Sequence, residues 1–456
     1  MITLRPYQTD LIAGIRSSLS RSRHTLCVLP TGGGKTLLAA FMALGAANKE
    51  KRIMFTCHRD FLLEQTAATF KSIGIPYTFL AAGYDYNPFC PVVIASIDTL
   101  KRRLDKIQPP DILIVDEAIH AAAAGWAKVI EHYQAKGCLT VGLCACPQRQ
   151  SGQGLGKWFK EIVEGPSMAW LIENGFLSKY KIFAPSRPDL KGVHSIGGEY
   201  VNSELAERMN KPSITGNAIA EYKKIAHGKQ GVAFCCSIEH SKDVCAAFIA
   251  AGISAVHIGS DTDKGDRKRL LASFRRGEIK ILTAVDIFSE GFDLPTVEYG
   301  ALLRPTRSLN IYLQQIGRIL RASPGKEYAY IADHADNCRT FGMPDEVRDW
   351  TLSDREKGSR MDGEKTIPVR QCTQCYFCHK PAPICPNCRF EYPIQSREID
   401  EIDGELSEVQ VAIQKREARM EVGKARTLDD LRRIAAERNY KPGWVYKQAQ
   451  LKGIHA

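Results

Sequence analysis

The sequence predicts an α/β protein of two tandem domains with parallel sheets, followed by a small cysteine-stapled module and a helical tail. Three observations carry this. Short apolar runs alternate with helical patterns between residues 26 and 285, as strands of a parallel sheet covered on both faces do. A glycine-rich turn, residues 29–36, stands between one such strand and a helix. Two Cys-x-x-Cys pairs crowd into residues 372–388.

Length and composition set the frame. A chain of 456 residues is long enough for two or three domains. Its 44% hydrophobic and 25% charged content is that of a soluble globular protein rather than a disordered or membrane one. No run of 18 apolar residues occurs, so no membrane span is expected. The opening Met1-Ile2-Thr3-Leu4-Arg5 lacks the form of a signal peptide. Five of the fifteen cysteines lie in 372–388, and the other ten are scattered, several in apolar runs such as Ala233-Phe234-Cys235-Cys236. That usage fits a reducing compartment, and a cytoplasmic, monomeric protein is expected. The net charge of +11 points to a polyanionic partner.

In the first domain, Leu26-Cys27-Val28-Leu29 reads as a buried strand and Leu37-Leu38-Ala39-Ala40-Phe41-Met42 as a helix. Between them lie Pro30, Thr31, Gly32, Gly33, Gly34, Lys35 and Thr36. Strand, glycine-rich turn and helix is the context of a phosphate-binding loop. The glycines let backbone N–H groups approach phosphate oxygens, and the helix N-terminus adds positive potential. Lys35 is placed to reach the β- and γ-phosphates of ATP, and the Thr36 hydroxyl to ligate Mg²⁺. Leu29 stands where the strict motif has its first glycine. Further on, the strand Ile112-Leu113-Ile114-Val115 ends in Asp116-Glu117. Asp116 is expected to bind Mg²⁺, mostly through water, and Glu117 to orient or deprotonate the attacking water.

With these two elements in place, the chain resembles the superfamily 2 helicases of the DEAD/DEAH-box class over residues 3–335. It resembles most of all their RadD-like and XPB-like DNA-directed branch, in bacterial or phage form. The resemblance implies two RecA-like domains with ATP between them. Leu4-Arg5-Pro6-Tyr7-Gln8 is similar to the family's adenine-reading motif, with Gln8 as the adenine contact. Ile53 to Arg59 with Leu62-Leu63-Glu64-Gln65 resembles motif Ia, and Ala95 to Leu100 resembles motif Ib. These imply phosphate-backbone contacts from His58, Arg59, Ser96 and Thr99, with Lys101, Arg102 and Arg103 adding charge. Such contacts position nucleic acid without reading its sequence.

The chain departs from the family pattern twice. The acidic box reads Asp116-Glu117-Ala118-Ile119, with His120 one place late, and the Ser/Thr-Ala-Thr element reads Cys144-Ala145-Cys146. Isoleucine cannot hydrogen-bond through its side chain and cysteine does so weakly. Three readings stand: backbone or water carries the link between ATP and nucleic acid, hydrolysis is poorly coupled to strand separation, or the Cys-x-Cys has a redox or metal role.

The second domain alternates in the same way. Residues 230–237, 255–259 and 279–285 read as strands, and 242–249 and 267–274 as helices. Phe288 to Pro295 resembles motif V, implying that Gly291 and Asp293 lie at the interdomain cleft. Gln314-Gln315-Ile316-Gly317-Arg318-Ile319-Leu320-Arg321 resembles motif VI. Arg318 and Arg321 are three apart, so one helical face is expected to carry both to the γ-phosphate. Arginines supplied across a cleft make hydrolysis conditional on closure.

Cys372, Cys375, Cys385 and Cys388 have the spacing of a tetrahedral structural Zn²⁺ site. The segment also holds Pro381, Pro383 and Pro386 and has little core of its own, so metal is expected to supply its fold. Cys378 and His379 are left over. Arg370 and Arg389 flank the module and suggest that it faces nucleic acid. In the tail, residues 409–456 carry eleven Lys/Arg against five Asp/Glu. Thr427 and Asp430 form a capping pair before an apolar stripe of Leu428, Leu431, Ile434 and Ala435. Aromatic and basic residues mix at 440–446, which suits either DNA contact or self-packing.

The expected organisation is a RecA-like ATP-binding domain at 1–176, a RecA-like C-terminal domain at 177–345, a linker at 346–369, a zinc ribbon at 370–393 and a basic helical tail at 394–456. The expected activity is ATP-dependent movement on nucleic acid, DNA before RNA, in repair, recombination or replication. An RNA-directed remodeller and a binding scaffold with a weakly coupled ATPase are the alternatives.

Overall fold

The computed structural model describes residues 2–58, 60–185, 188–196, 199–285, 294, 296–354, 368–393, 425, 427–437, 444–445 and 448–449. Arg59, Gly291 and Asp293, and most of 288–295 and 440–446, lie outside the described residues.

The first domain holds strands β1 (His24–Val28), β2 (Ile53–Cys57), β3 (Thr78–Leu80), β4 (Val92–Ser96), β5 (Ile112–Val115), β6 (Leu139–Cys144) and β7 (Glu161–Glu164). They form one sheet in the order β3-β4-β2-β5-β6-β1-β7, and every neighbouring pair is parallel. Helices α1 (Pro6–Ser22), α2 (Lys35–Ala47), α3 (Asp60–Ser72), α4 (Ile97–Arg103), α5 (Ala124–Ala135) and α6 (Met168–Glu173) complete it. The strands bury both faces because alternate residues point to opposite sides. Cys27 and Leu29 join the core under α1 to α3, whereas Leu26 and Val28 join the core that holds Trp126 and Tyr133 of α5. Each buried aliphatic side chain contributes about 1.5–3 kcal/mol, so two filled faces hold the strand ends, and the loops on them, in fixed positions.

The second domain begins with β8 (Lys179–Phe183), a short hairpin of β9 (Ser195–Ile196) and β10 (Glu199–Tyr200), and helices α7 (Asn202–Met209) and α8 (Pro212–Ile225). It continues with β11 (Gly231–Phe234), α9 (Ile238–Ala250), β12 (Ala255–Ile258), α10 (Lys264–Arg275), β13 (Ile281–Ala284), β14 (Tyr299–Leu302), α11 (Leu309–Ile319), β15 (Tyr328–Asp333) and α12 (Asn337–Phe341). The sheet order is β12-β13-β11-β14-β15-β8, again parallel throughout. Val232 and Phe234 face one core, and Ala233 and Cys235 the other.

Residues expected to begin a linker are packed instead. Trp350 and Leu352 sit against the first domain's core. The Gly156 N–H donates to the Leu352 carbonyl at 2.9 Å, and the Gly154 N–H to the Asp354 carboxylate at 2.8 Å. Trp350 gives this stretch an apolar anchor that its charged neighbours hid. Arg348 stiffens the approach by donating to the carbonyls of Phe341, Met343, Pro344 and Glu346.

The cysteine module holds a hairpin of β16 (Arg370–Gln371) and β17 (Cys378–His379). It docks on β8, the outer strand of the second sheet. The Ala184 N–H donates to the Tyr376 carbonyl at 2.9 Å, and Phe183 and Phe377 pair antiparallel. Residues 1–392 form one compact unit and 393–456 another. In the latter, helix α13 (Leu428–Glu437) buries Leu431, Ile434 and Ala435 against Val445 and Ala449. Its start is a reciprocal cap: the Asp430 N–H donates to Thr427 Oγ1 and the Thr427 N–H to Asp430 Oδ2, both at 3.1 Å. Among the described residues, no helix is long and apolar enough to cross a membrane.

Candidate active site

A cleft of about 350 Å³ between the two sheets brings together Thr31, Gly32, Gly34, Lys35 and Thr36 from the loop after β1, Asp116 and Glu117 from the end of β5, and Arg318 and Arg321. Residues 286 apart in sequence, Lys35 and Arg321, thus line one space because parallel strands all deliver their C-terminal ends to the same side.

Glycine is required where the loop turns into α2. Gly34 has φ +88°, and a Cβ there would stand 2.4 Å from Gln8 Nε2. The Gln8 side chain is 1% exposed. It donates to the Gly33 carbonyl at 3.1 Å and accepts from the Arg5 N–H at 3.0 Å, and the Tyr7 hydroxyl donates to the same carbonyl at 2.9 Å. Both ends of the Gln8 amide are thus engaged, and Gln8 braces the loop. Arg5 and Phe176 line the cleft, with the guanidinium 4.7 Å from the ring centroid. Neither was read from the sequence as lining the cleft; the aromatic at 176 sits at a domain junction, with no motif to mark it. The Lys35 ammonium donates to the Leu29 carbonyl at 3.3 Å.

Glu117 has φ +46°, a left-handed conformation that costs a non-glycine residue about 1 kcal/mol. The turn sends its carboxylate across the cleft, where it accepts from Gln314 Nε2 at 3.1 Å. The second domain meets the loop directly. A Cβ on Gly317 would lie 2.5 Å from Thr31 Cβ and 3.0 Å from the Thr31 carbonyl oxygen. Arg318 is 8% exposed.

One expectation about the arginines is corrected. They do not share a helix, because α11 ends at Ile319. Arg321 lies beyond it, bridged antiparallel to Leu177. Its carbonyl accepts from Lys326 Nζ at 2.7 Å and Ser178 Oγ at 3.3 Å. The half-buried Lys326 at the helix end takes the place of another helical turn, and both arginines still line the cleft.

The two departures from the family pattern are apolar in space too. Cys144 and Cys146 are fully buried and Ile119 is 8% exposed. Burial, and then the neighbouring Cys146, push the Cys144 thiol well above its ordinary range. Beside them, the Leu29 N–H, at the start of the phosphate-type loop, donates to the Cys144 carbonyl at 3.0 Å. His120 turns away to stack on Trp126 at 6.3 Å, with the His58 ring 6.1 Å from it.

Of the expected backbone-gripping residues, His58 and Arg102 are exposed and Thr99 is half-buried. The Asp98 carboxyl is held below its usual range by a hydrogen bond from Lys101 and by the charges of Lys101, His58 and Arg102. Ser96 is buried, because it ends β4 inside the sheet, and its hydroxyl is withdrawn from this surface.

The cysteine module fits a metal. The Sγ atoms of Cys372, Cys375, Cys385 and Cys388 all lie within 4.8 Å of one another, with Cys372–Cys388 at 3.6 Å and Cys375–Cys385 at 3.8 Å. Tetrahedral thiolates at 2.3 Å from zinc stand about 3.8 Å apart. The residue after each pair, Tyr376 and Arg389, has φ near +60°, so the two knuckles turn alike. Cys378 and His379 are not part of the set. Cys378 Sγ is 3.6 Å from Cys338 Sγ, and His379 Nε2 is 2.8 Å from the Tyr392 hydroxyl.

Comparison with known proteins agrees with this geometry. Residues 1–149 match the family model described as type III restriction enzyme, res subunit, and residues 211–323 match the helicase conserved C-terminal domain. A 51.5 kDa protein of a Lactococcus phage is 32% identical over 372 residues, 81% of this chain and 78% of the phage protein. The chain belongs to the superfamily 2 helicases. At that level, this helicase is an enzyme that hydrolyses ATP in dependence on nucleic acid. The putative ATP-dependent helicase IRC3 of Saccharomyces cerevisiae is 28% identical over 72% of this helicase. This helicase spans about half that protein, 51%. The DNA 3'-5' translocase XPB2 of Sulfurisphaera tokodaii is 22% identical over 70% of this chain and 79% of its own. In fold, this helicase is similar to a fragment of a putative HsdR subunit of a type I restriction enzyme from Vibrio vulnificus, with a TM-score of 0.61 and 19% identity, covering 76% of this chain and 67% of that one.

Proposed function

We propose that the chain is an ATP-driven motor on DNA, which moves along or unwinds it as part of repair, recombination or replication. The observation that carries this is the seating of Gly317 on Thr31, which joins Lys35, Thr36, Asp116, Glu117, Arg318 and Arg321 into one cleft. In this reading Thr31, Gly32, Gly34 and Lys35 cradle the phosphates, and Glu117 orients the attacking water. Thr36 and Asp116 hold Mg²⁺, which when bound offsets phosphate charge. Arg318 and Arg321 meet the γ-phosphate only when the domains close, so hydrolysis and domain movement share one geometry. Arg5 and Phe176 flank the base, and Gln8 keeps the loop in shape. Gly291 and Asp293 are assigned to nucleotide binding by their place in the motif V-like run alone. His58, Arg59, Thr99 and Arg102 grip the backbone of one strand. The four-cysteine cluster holds a structural Zn²⁺. The reading divides the chain at 176, 345, 369 and 393, and places it in a reducing compartment.

DNA is favoured over RNA by the restriction-enzyme family model and by the relative named as a DNA translocase. The apolar side chains at 119, 144 and 146 favour a second reading on one point, weak coupling of hydrolysis to strand separation. ATP turnover with single-stranded, duplex and forked DNA and with RNA, using Lys35→Ala as the blank, tests both. No stimulation by any polymer removes the motor reading, and stimulation by RNA alone reverses the choice of substrate. Ile119→His combined with Thr at 144 and 146 is expected to raise strand displacement per ATP. An unchanged ratio removes the weak-coupling reading.

A further inference from the structure

We infer that Glu199 is a positioning residue that couples the two domains through side chains. The inference rests on the motor reading above.

Glu199 opens β10, in the small hairpin of the second domain. Its carboxylate takes four donors. Oε2 accepts from Gln150 Nε2 at 2.8 Å and from Thr306 Oγ1 at 2.7 Å. Oε1 accepts from the backbone N–H groups of Arg307 and Tyr200, each at 3.1 Å. Gln150 belongs to the first domain, four residues past Cys146, on the loop that leaves β6. Thr306 and Arg307 belong to the loop that leaves β14 and enters α11. Hydrogen bonds to an ionised carboxylate are about twice as strong as neutral ones.

The network runs on. Thr306 Oγ1 also accepts from the Ser308 N–H at 3.0 Å, and Ser308 Oγ caps α11 by accepting from the Ile311 N–H at 3.4 Å. That helix carries Gln314 and Arg318 into the cleft. From the far side, the Asn337 amide fixes the same loop, accepting from the Thr306 N–H at 3.2 Å and donating to the Arg304 carbonyl at 3.1 Å. A continuous chain of polar contacts thus joins the loop after Cys144-Ala145-Cys146 to the helix bearing Arg318.

The division of donors suits a contact that forms and breaks. Three of the four belong to the second domain and hold Glu199 ready, and one comes from the first. Separation of the domains breaks the Gln150 bond and leaves the carboxylate satisfied by the others. Glu199 is half-buried, so solvent weakens the bond less than at an exposed pair.

The test is a swap at two positions, read as the ratio of DNA-stimulated to basal ATP turnover. In Gln150→Glu two carboxylates face each other, and in Glu199→Gln the two amides meet with a neutral acceptor. The double variant reverses donor and acceptor, and the Thr306 hydroxyl accepts where it donated. Each single change is expected to lower the stimulation ratio about tenfold with basal turnover within about twofold, and the double change to restore it to within about threefold. Singles at the wild-type ratio, or a double variant no better than the product of the singles, overturn the inference. So does basal turnover falling in step with stimulated turnover, which marks a purely structural role. A wild-type chain that no polymer stimulates refutes the motor reading itself, so the two failures are distinguishable.

Discussion

The side-chain amide of Gln314, on the second domain, donates to the carboxylate of Glu117, on the first, at 3.1 Å. The bond spans the cleft and fixes the acidic group that the strained turn at 117 throws forward. Glu117→Gln is expected to lower ATP turnover by about 10²–10⁴-fold while nucleotide affinity, followed with a fluorescent ATP analogue, is retained. Gln314→Ala removes the orienting bond but not the carboxylate, and a loss of about tenfold is expected. Equal turnover in Glu117→Gln and wild type removes Glu117 from the reaction.

Gly317→Ala adds one methyl group where α11 meets the loop, 2.5 Å from Thr31 Cβ. Overpacking of this kind costs about 1–3 kcal/mol, here levied on the closed arrangement. Turnover is expected to fall at least tenfold while the melting temperature of the nucleotide-free chain moves little. A variant with normal turnover means that the closed cleft does not need this contact.

One zinc per chain is expected by elemental analysis, and Cys385→Ala is expected to lose it. Because the module pairs with β8, the loss reaches the second domain, and melting temperature falls with it. Cys378→Ser is expected to keep the metal, since that thiol faces Cys338. Metal loss in Cys378→Ser instead redraws the ligand set.

Acid is expected to destabilise the second domain through two histidines. Burial lowers His240 and His334 from 6.5 to about 4, and His240 Nδ1 accepts from the Cys236 N–H at 3.3 Å, a bond only the neutral ring makes. Between pH 4 and 6.5 the unfolded chain binds more protons than the folded one, so stability is full above 6.5 and drains as pH falls towards 4. Each shift is worth on the order of 3 kcal/mol. Denaturant midpoints at pH 7 and pH 5 check this, and replacing His240 by Gln is expected to flatten the dependence.

Much of this was legible in the sequence. The β5 run at 112–115 and the strand under the glycine-rich loop follow from apolar patterning, because both sheet faces are filled. The four zinc-type cysteines follow from spacing alone. What escaped had no local mark. Arg321 leaves the helix because Lys326, five residues on, caps it, and spacing in a motif cannot report a cap made from outside. The bond from Gln8 to the Gly33 carbonyl, a contact 25 residues away, has no local mark either. Glu199 and Gln150 match no motif, and their meeting depends on how two domains close.

The docking of the cysteine module on β8 bears on how the chain reaches its folded state without clumping. An outer strand with bare amide and carbonyl groups is a template for strands of other molecules. β8 is made early, and the segment that pairs with it is made nearly 200 residues later. On the proposed zinc reading, that margin of the sheet stands open until those residues emerge and bind the ion. Scarcity of metal during synthesis would then appear first as aggregation of nascent chains, ahead of any loss in motor activity, and a brief supply of zinc at that stage would rescue yield more than the same ion given to finished protein.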